Sequence, residues 1–86
     1  MGQKKPLRYR DLRAILKTFG IAEHKARGKG SERLFVGVVN GQIHRYPTKC
    51  HGEGDTKPVP VINAIRRKFK ITESDGVTDD NFYGRL

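Results

Sequence analysis

One carboxylate, two imidazoles and a group of cations are the residues of this chain that could act on a phosphodiester bond. Metal-independent cleavage of RNA through its own 2′-hydroxyl needs a general base, a general acid and cations that stabilise the charged phosphorane. Glu32 is the candidate base, and His51 or His44 is the candidate acid. An ordinary ion pair between Glu32 and a neighbour such as Lys49 is the alternative, because such pairs are common. The cations that could stabilise the phosphorane are Arg27, Lys29, Arg33 and Arg45.

A metal site is not expected from the side chains of metal-ligating type. Their spacing matches neither a C-x-x-C nor an H-x-x-x-H pattern, and one thiol is too few for a structural zinc site. We therefore expect neither a metal nor a cofactor. The residues concerned are His24, His44, Cys50 and His51.

A cationic glycine turn stands directly before Glu32, at residues 27–31 (Arg-Gly-Lys-Gly-Ser). Its two glycines permit a tight turn with positive φ. Such a turn at the start of a strand can bring backbone N–H groups, a hydroxyl and cationic side chains close to a phosphate chain. An ordinary hairpin turn with solvated charges is the alternative.

Charge is distributed unevenly along the 86 residues. Residues 1–70 carry 17 basic and 5 acidic side chains, a net charge of +12, whereas residues 71–86 carry 1 basic and 4 acidic side chains, a net charge of −3. A body this basic favours a polyanionic partner, above all nucleic acid, with an acidic membrane surface second. The alternative is that the charge serves solubility alone.

The cellular setting is predicted from the cysteine count and the hydropathy. Cys50 is the only cysteine, which excludes an intramolecular disulfide and suits a reducing cytoplasm. The first residues contain no apolar run typical of a signal peptide, and no segment is long enough to span a bilayer. We expect a cytoplasmic protein that does not bind a membrane.

Two amphipathic helices are predicted, over about residues 9–19 and residues 58–70. On the first helix, Arg10, Arg13 and Lys17 share a face away from the apolar stripe, where they could contact phosphates or simply be solvated. The apolar stripes consist of Leu12, Ile15, Leu16 and Phe19 in the first helix and of Ile62, Ile65 and Phe69 in the second.

Three strands are predicted between these helices, which gives an α+β fold in the order α-β-β-β-α. Residues 21–27 are a weak strand candidate. Residues 32–39 and 42–48 form a strong pair around Asn40-Gly41, which favours a type I′ turn. This turn fixes the register, and Glu32 is predicted to lie opposite Lys49.

The register divides the side chains of the hairpin between two sheet faces, and the more aliphatic face is predicted to be the core face. The other face would then expose Phe35 and Tyr46 beside Arg33 and His44, and the rings could stack on bases. In the reverse arrangement, Phe35 and Tyr46 belong to the core. The aliphatic face carries Leu34, Val36, Val38, Ile43, Arg45 and Pro47.

Three segments are expected along the chain. Residues 1–8 are predicted to be a disordered basic lead-in, residues 9–71 the folded domain, and residues 72–86 an acidic C-terminal tail. A short capped turn that docks on the domain could form in this tail, from Thr78, Phe82 and Tyr83.

Several short motifs follow one another in a characteristic order. The first helix ends in residues 16–21 (Leu-Lys-Thr-Phe-Gly-Ile), and the second strand opens with residues 28–31 (Gly-Lys-Gly-Ser). Residues 65–71 (Ile-Arg-Arg-Lys-Phe-Lys-Ile) close the second helix. In the order and spacing of these motifs, residues 8–71 resemble the HicA family, small toxins of bacterial toxin–antitoxin pairs. The residues ahead of the second helix that extend the resemblance are Pro47 and His51.

The resemblance implies a double-stranded-RNA-binding-domain-like fold, a small α-β-β-β-α sandwich whose three-stranded antiparallel sheet carries two helices on one face. It also implies a cytoplasmic, metal-independent mRNA interferase that is neutralised by a HicB-like antitoxin. The family's catalytic histidine follows Gly-Ser in its motif, and Glu32 stands at that position here.

The catalytic role of that histidine therefore does not carry over to this chain. We expect binding of single-stranded or structured mRNA, with ribonuclease activity left open. A module that binds an acidic antitoxin-like partner through its basic face is a further alternative. The residues expected to contact RNA are Lys25, Arg27, Lys29, Gly30, Ser31, Arg33, Arg45 and Tyr46.

Overall fold

Helices and strands are arranged along the chain much as the apolar spacing predicts. The computed structural model describes residues 4–25, 32–52 and 54–85. In these ranges, no helix is long and apolar enough to cross a membrane. The elements are β1 (Leu7–Arg8), α1 (Tyr9–Thr18), β2 (Ala22–Lys25), β3 (Glu32–Val39), β4 (Gln42–Lys49), β5 (Thr56–Lys57), α2 (Val59–Lys68), a 3₁₀ turn (Glu73–Asp75) and α3 (Asp79–Tyr83).

An antiparallel sheet is formed by β2, β3 and β4 in that order, which confirms the predicted α+β class. Asn40 and Gly41 connect β3 to β4 with φ angles of 51° and 80°. A type I′ turn needs positive φ at both of these positions. Glu32 consequently lies opposite Lys49, as predicted, and Val38 lies opposite Ile43.

The face of this sheet that is buried is the aromatic one, so the prediction of an aliphatic core face is wrong. Phe35 and Gly37 are buried in the centre of β3, and Tyr46 packs against the core. On the opposite face, Val38 is 71% exposed and Ile43 is 57% exposed. Full burial of a ring such as Phe35 is worth about 1.5–3 kcal/mol, so the aromatic face makes a substantial contribution to stability.

Both long helices lie on this buried face, and their contacts explain why it is the core face. The ring of Tyr9 in α1 stacks on Phe35 with the ring centroids 5.8 Å apart. The ring of Phe69, at the end of α2, lies over Gly37, where an added Cβ would be 3.2 Å from it. The helices supply the aliphatic part of the core. The sheet supplies the ring of Phe35 and, beside it, the space above Gly37, which the ring of Phe69 fills. The helix residues that complete the core include Leu12, Ile15, Leu16, Ile62 and Ile65.

The N-terminal segment contributes a short strand to the fold, which corrects the prediction of a disordered lead-in for its last two residues. Leu7 and Arg8 form β1, which pairs antiparallel with Thr56 and Lys57 of β5. Leu7 is buried in the common core. The adjoining N–H of Tyr9 donates to the Asp55 carbonyl at 2.7 Å, so this short ladder fixes the start of α1.

The C-terminal segment docks through a capped turn, as predicted. The hydroxyl of Thr78 accepts a hydrogen bond from the N–H of Asn81 at 3.1 Å and so caps α3. Phe82 and Tyr83 are buried in the core, and Phe82 stacks on Phe19 with ring centroids 5.9 Å apart. Residues 72–85 therefore bury two aromatic rings in the same core as the preceding elements.

Candidate nucleic-acid interface

The predicted catalytic residues Glu32 and His44 do not lie together. They belong to opposite faces of the sheet, because the cross-strand partner of His44 is Gly37, an odd number of positions from Glu32 along β3. At about 3.3 Å per residue, the five steps from Glu32 to Gly37 separate them by roughly 17 Å along the strand. The His44 imidazole instead has its Nδ1 3.1 Å from the Lys68 carbonyl oxygen. The geometry excludes direct cooperation between this carboxylate and this imidazole.

The third candidate, His51, is exposed in the loop that follows β4. Its neighbour in this loop is Asp55, whose pKa is lowered mainly by the ammonium group of Lys57 and to a smaller extent by His51. The Lys57 Nζ lies 3.3 Å from the Asp55 carboxylate. Within the described residues, no hydrogen bond or ion pair joins His51 to the carboxylate of Glu32. These contacts favour a structural role for the loop.

Glu32 has the register that the ion-pair alternative requires, although no ion pair to Lys49 is formed among the described residues. Lys49 is its direct cross-strand partner, and opposite charges at such positions stabilise a sheet by roughly 0.2–1 kcal/mol. Leu34 and Pro47 form the next pair on the same face and help line a shallow pocket of about 260 Å³ at this end of the open face.

The predicted RNA-contacting residues separate into four groups. Lys25 and Arg33 are cross-strand partners on the helix-covered side of the sheet, whereas Arg45 lies on the open face opposite Val36. Tyr46 packs against the core, so the prediction that its ring is free to stack on a base is wrong. The remaining members lie outside the described residues and are Arg27, Lys29, Gly30 and Ser31.

A groove of about 490 Å³ between α1 and β2 is lined by the three cationic side chains of α1. Arg10, Arg13 and Lys17 line it together, because positions i, i+3 and i+7 of a helix share one face. This is the face that the sequence marked as a candidate phosphate contact. The rest of the lining is Ala14, Ile21, Ala22 and Glu23.

Glu23 is the acidic member of this groove and the centre of a polar cluster. Its Oε1 lies 3.6 Å from Nη1 of Arg13, and its Oε2 lies 3.6 Å from Nε of Arg33. The Tyr9 hydroxyl donates a hydrogen bond to Oε2. Burial, followed by this hydrogen bond to a carboxylate, raises the pKa of Tyr9 well above its usual value, so the phenol remains protonated. The cluster joins α1, β2 and β3.

Sequence reasoning missed Glu23 because β2 gave only a weak strand signal. In the observed register Glu23 lies opposite Phe35. Any assignment that puts Phe35 in the core therefore puts Glu23 on the helix-covered side, near α1. The signal was present, but it required both the pairing of β2 with β3 and the correct core face.

Comparison with known proteins gives no relative, since no family model, curated protein or solved structure matches this chain. In the parts of the chain that are described, no group of three His, Cys, Asp or Glu side chains is placed to hold a metal ion. We therefore base the functional assignment on the charges, the groove and the two faces of the sheet.

Proposed function

We propose that this chain is a cytoplasmic RNA-binding protein of the HicA-like, double-stranded-RNA-binding-domain-like type, from a bacterial toxin–antitoxin system with a HicB-like antitoxin. RNA is held in the groove between α1 and β2 by phosphate contacts from Arg10, Arg13 and Lys17. The observation that carries the proposal is this row of three cations along one groove. The net charge of +12 over residues 1–70 supports it, because a polyanion is attracted to such a surface over a long range.

The positions of the aromatic side chains favour structured RNA over single strands. All seven Phe and Tyr residues of the chain lie in the core or pack against it. Single-stranded recognition relies on rings on which bases can stack, whereas duplex RNA is recognised through its shape, phosphates and 2′-hydroxyls. A groove of cations without exposed rings suits the second mode.

Salt dependence of RNA binding tests this proposal. We expect the affinity for a 20-base-pair RNA duplex to fall steeply as salt rises. The double variant Arg10→Gln/Lys17→Gln should weaken binding and reduce the slope of log K against log salt by about 2. The matched control is Arg67→Gln/Lys68→Gln, which removes the same charge from exposed positions on α2.

The outcomes distinguish the groove from the net charge. Undetectable RNA binding, or an affinity that does not change with salt concentration, contradicts the proposal. Equal losses in the two double variants would show that any two cations serve, and would contradict the assignment to the groove.

The exposed aliphatic face of the sheet favours a second function, a module that binds an acidic antitoxin-like protein. Val38 and Ile43 lie opposite one another there with most of their surface in solvent, and exposed apolar patches commonly mark protein interfaces. Arg45 and Lys49 on the same face supply positive charge. Ile43→Gln, which removes the apolar side chain without a change of charge, should strongly weaken binding of the purified acidic product of a neighbouring gene and leave RNA binding unchanged; equal binding of that product by parent and variant contradicts this function.

A further inference from the structure

We propose that Glu23 accepts a hydrogen bond from a ribose 2′-hydroxyl in the groove between α1 and β2, and that this contact makes the groove select RNA over DNA. The inference rests on the proposed RNA binding and adds the chemical group by which the ligand is recognised. It assigns a specificity role to a residue that the predicted set of RNA contacts did not contain.

A carboxylate, that of Glu23, lies in a groove that is otherwise suited to phosphates. Glu23 lines the groove with 20% of its side chain exposed. A surface that only neutralised phosphates would exclude this group, because like charges repel. Here the guanidinium groups of Arg13 and Arg33, each 3.6 Å from one carboxylate oxygen, balance its charge. A nucleic-acid backbone can therefore approach Glu23 at little electrostatic cost.

The carboxylate also retains capacity to accept hydrogen bonds. Two carboxylate oxygens provide about four acceptor positions, and the Tyr9 hydroxyl uses one of them, on Oε2. The two guanidinium contacts at 3.6 Å are ion pairs that exceed hydrogen-bond distance. Oε1 lies beside Arg13, which itself lines the groove. An O–H donor that enters the groove next to a phosphate can bind at this oxygen.

The position of the carboxylate is fixed before any ligand binds. Tyr9 is buried and its ring is stacked on Phe35, so its hydroxyl has little freedom to move. Because its pKa is raised, Tyr9 remains a donor at neutral pH. Glu23 is thus held from one side by Tyr9 and from two others by cations. A preorganised acceptor of this kind loses little conformational entropy on binding.

The ribose 2′-hydroxyl is the group that fits an acceptor flanked by cations. It is both a donor and an acceptor, it lies next to the phosphates, and it distinguishes RNA from DNA. A sugar–phosphate backbone without it offers the Glu23 carboxylate no O–H donor. The cluster therefore combines attraction for phosphates, through its arginines, with discrimination of the sugar, through its carboxylate.

Three duplexes of one sequence test this inference: RNA, 2′-O-methyl RNA and DNA. Methylation removes the hydroxyl donor and leaves a ribose. We expect the parent protein to bind RNA roughly tenfold more tightly than 2′-O-methyl RNA, the size of one hydrogen bond to a charged group, with DNA also weaker than RNA. Glu23→Leu should bind the RNA and the 2′-O-methyl RNA equally, within about twofold. Glu32→Leu, on the opposite face of the sheet, is the matched control and should keep the full preference.

A second variant covers the case in which Glu23→Leu does not fold, which circular dichroism would reveal. Glu23→Gln keeps the shape and a neutral acceptor, and should reduce the preference to roughly threefold because neutral acceptors bind more weakly. Equal binding of RNA and 2′-O-methyl RNA by the parent would overturn the inference and leave the proposed RNA binding intact. A full preference in the Glu23 variants would also overturn it and would assign the effect of the methyl group to its bulk. Failure to bind any duplex would overturn the proposed function itself.

Discussion

The guanidinium group of Arg66 lies 2.8 Å from the Asp79 carboxylate and joins the last turn of α2 to the first turn of α3. Its other N–H groups donate to the carbonyls of Ile71, at 2.9 Å, and Val77, at 2.8 Å. The guanidinium carbon lies 4.6 Å from the centroid of the Phe82 ring. Arg66 is only 3% exposed, so it makes these contacts largely shielded from water. One buried cation thus fastens the acidic C-terminal segment to the domain.

Substitution of Arg66 should consequently be costly. Arg66→Ala leaves the Asp79 carboxylate and two carbonyls without their donor, and we expect a loss of roughly 3–5 kcal/mol in the free energy of unfolding. Urea denaturation followed by circular dichroism measures this loss. Arg67→Ala is the matched control, since its exposed neighbouring side chain should change stability by no more than about 0.5 kcal/mol. Similar effects of the two substitutions would contradict the role of Arg66.

In the sequence, Arg66 is followed by Arg67 and Lys68 at the end of the second helix, and residue type does not distinguish it from these cations. Helical periodicity contains the information that separates it from its neighbours. Arg66 follows Ile62 by four positions and precedes Phe69 by three, so it shares their buried face, whereas Arg67 does not. A periodicity analysis that counts only apolar residues overlooks a buried cation. The partners of Arg66 also lie in a later segment of the chain, so local spacing does not reveal them.

The sheet register could be predicted from the sequence, but the buried face could not. Asn40-Gly41 fixes which residues are opposite each other, and the period of two in a strand fixes which residues share a face. The choice between the faces depends on how helix side chains fit the sheet. The fit of Tyr9 on Phe35 and of Phe69 on Gly37 is a long-range property that no local pattern contains. The Glu23 cluster depends on the same fit and was missed for the same reason.

Gly37 provides a direct test of this fit. A Cβ at this position would lie 2.9 Å from Cγ1 of Ile21 and 3.2 Å from the ring of Phe69. We expect Gly37→Ala to destabilise the protein by about 1–3 kcal/mol, the usual cost of overpacking a core. Gly54→Ala is the control, since among the described residues no atom beyond its chain neighbours lies within 4 Å of the added methyl group. Equal thermal stability of the two variants would show that the core can adjust around the methyl group.

The contribution of the 3₁₀ turn to stability depends on pH because of Asp75. Its Oδ2 accepts hydrogen bonds from the Thr72 hydroxyl at 2.7 Å and the Thr72 N–H at 3.2 Å. These bonds favour the ionised carboxylate and lower the pKa of Asp75 below its ordinary value of 3.8. The folded state therefore holds this proton less tightly than the unfolded state does. The resulting stabilisation is complete above the unfolded pKa and is lost as the pH falls through the folded pKa.

Asp75→Asn should accordingly reduce stability at neutral pH and less so in acid. We expect the difference in unfolding free energy between parent and variant to be constant above about pH 5 and to shrink as the pH falls below 3.8. Chemical denaturation at a series of pH values measures this difference. Ser74→Ala, an exposed neighbour without a titratable group, should give a difference that does not vary with pH. A difference for Asp75→Asn that grows in acid would contradict the assigned direction.

The separation of Glu32 from His44 makes a prediction about catalysis. A general base and a general acid must both reach the reacting atoms, directly or through one water molecule, and each typically contributes 10²–10⁴-fold to the rate. Residues on opposite faces of the sheet cannot do this for one phosphodiester. We therefore expect Glu32→Gln and His44→Gln to act independently on any cleavage of RNA in excess EDTA, so that the fold-loss of the double variant is about the product of the two single losses. Two large single losses that do not multiply in the double variant would show that the residues act together on one phosphodiester and would contradict this prediction.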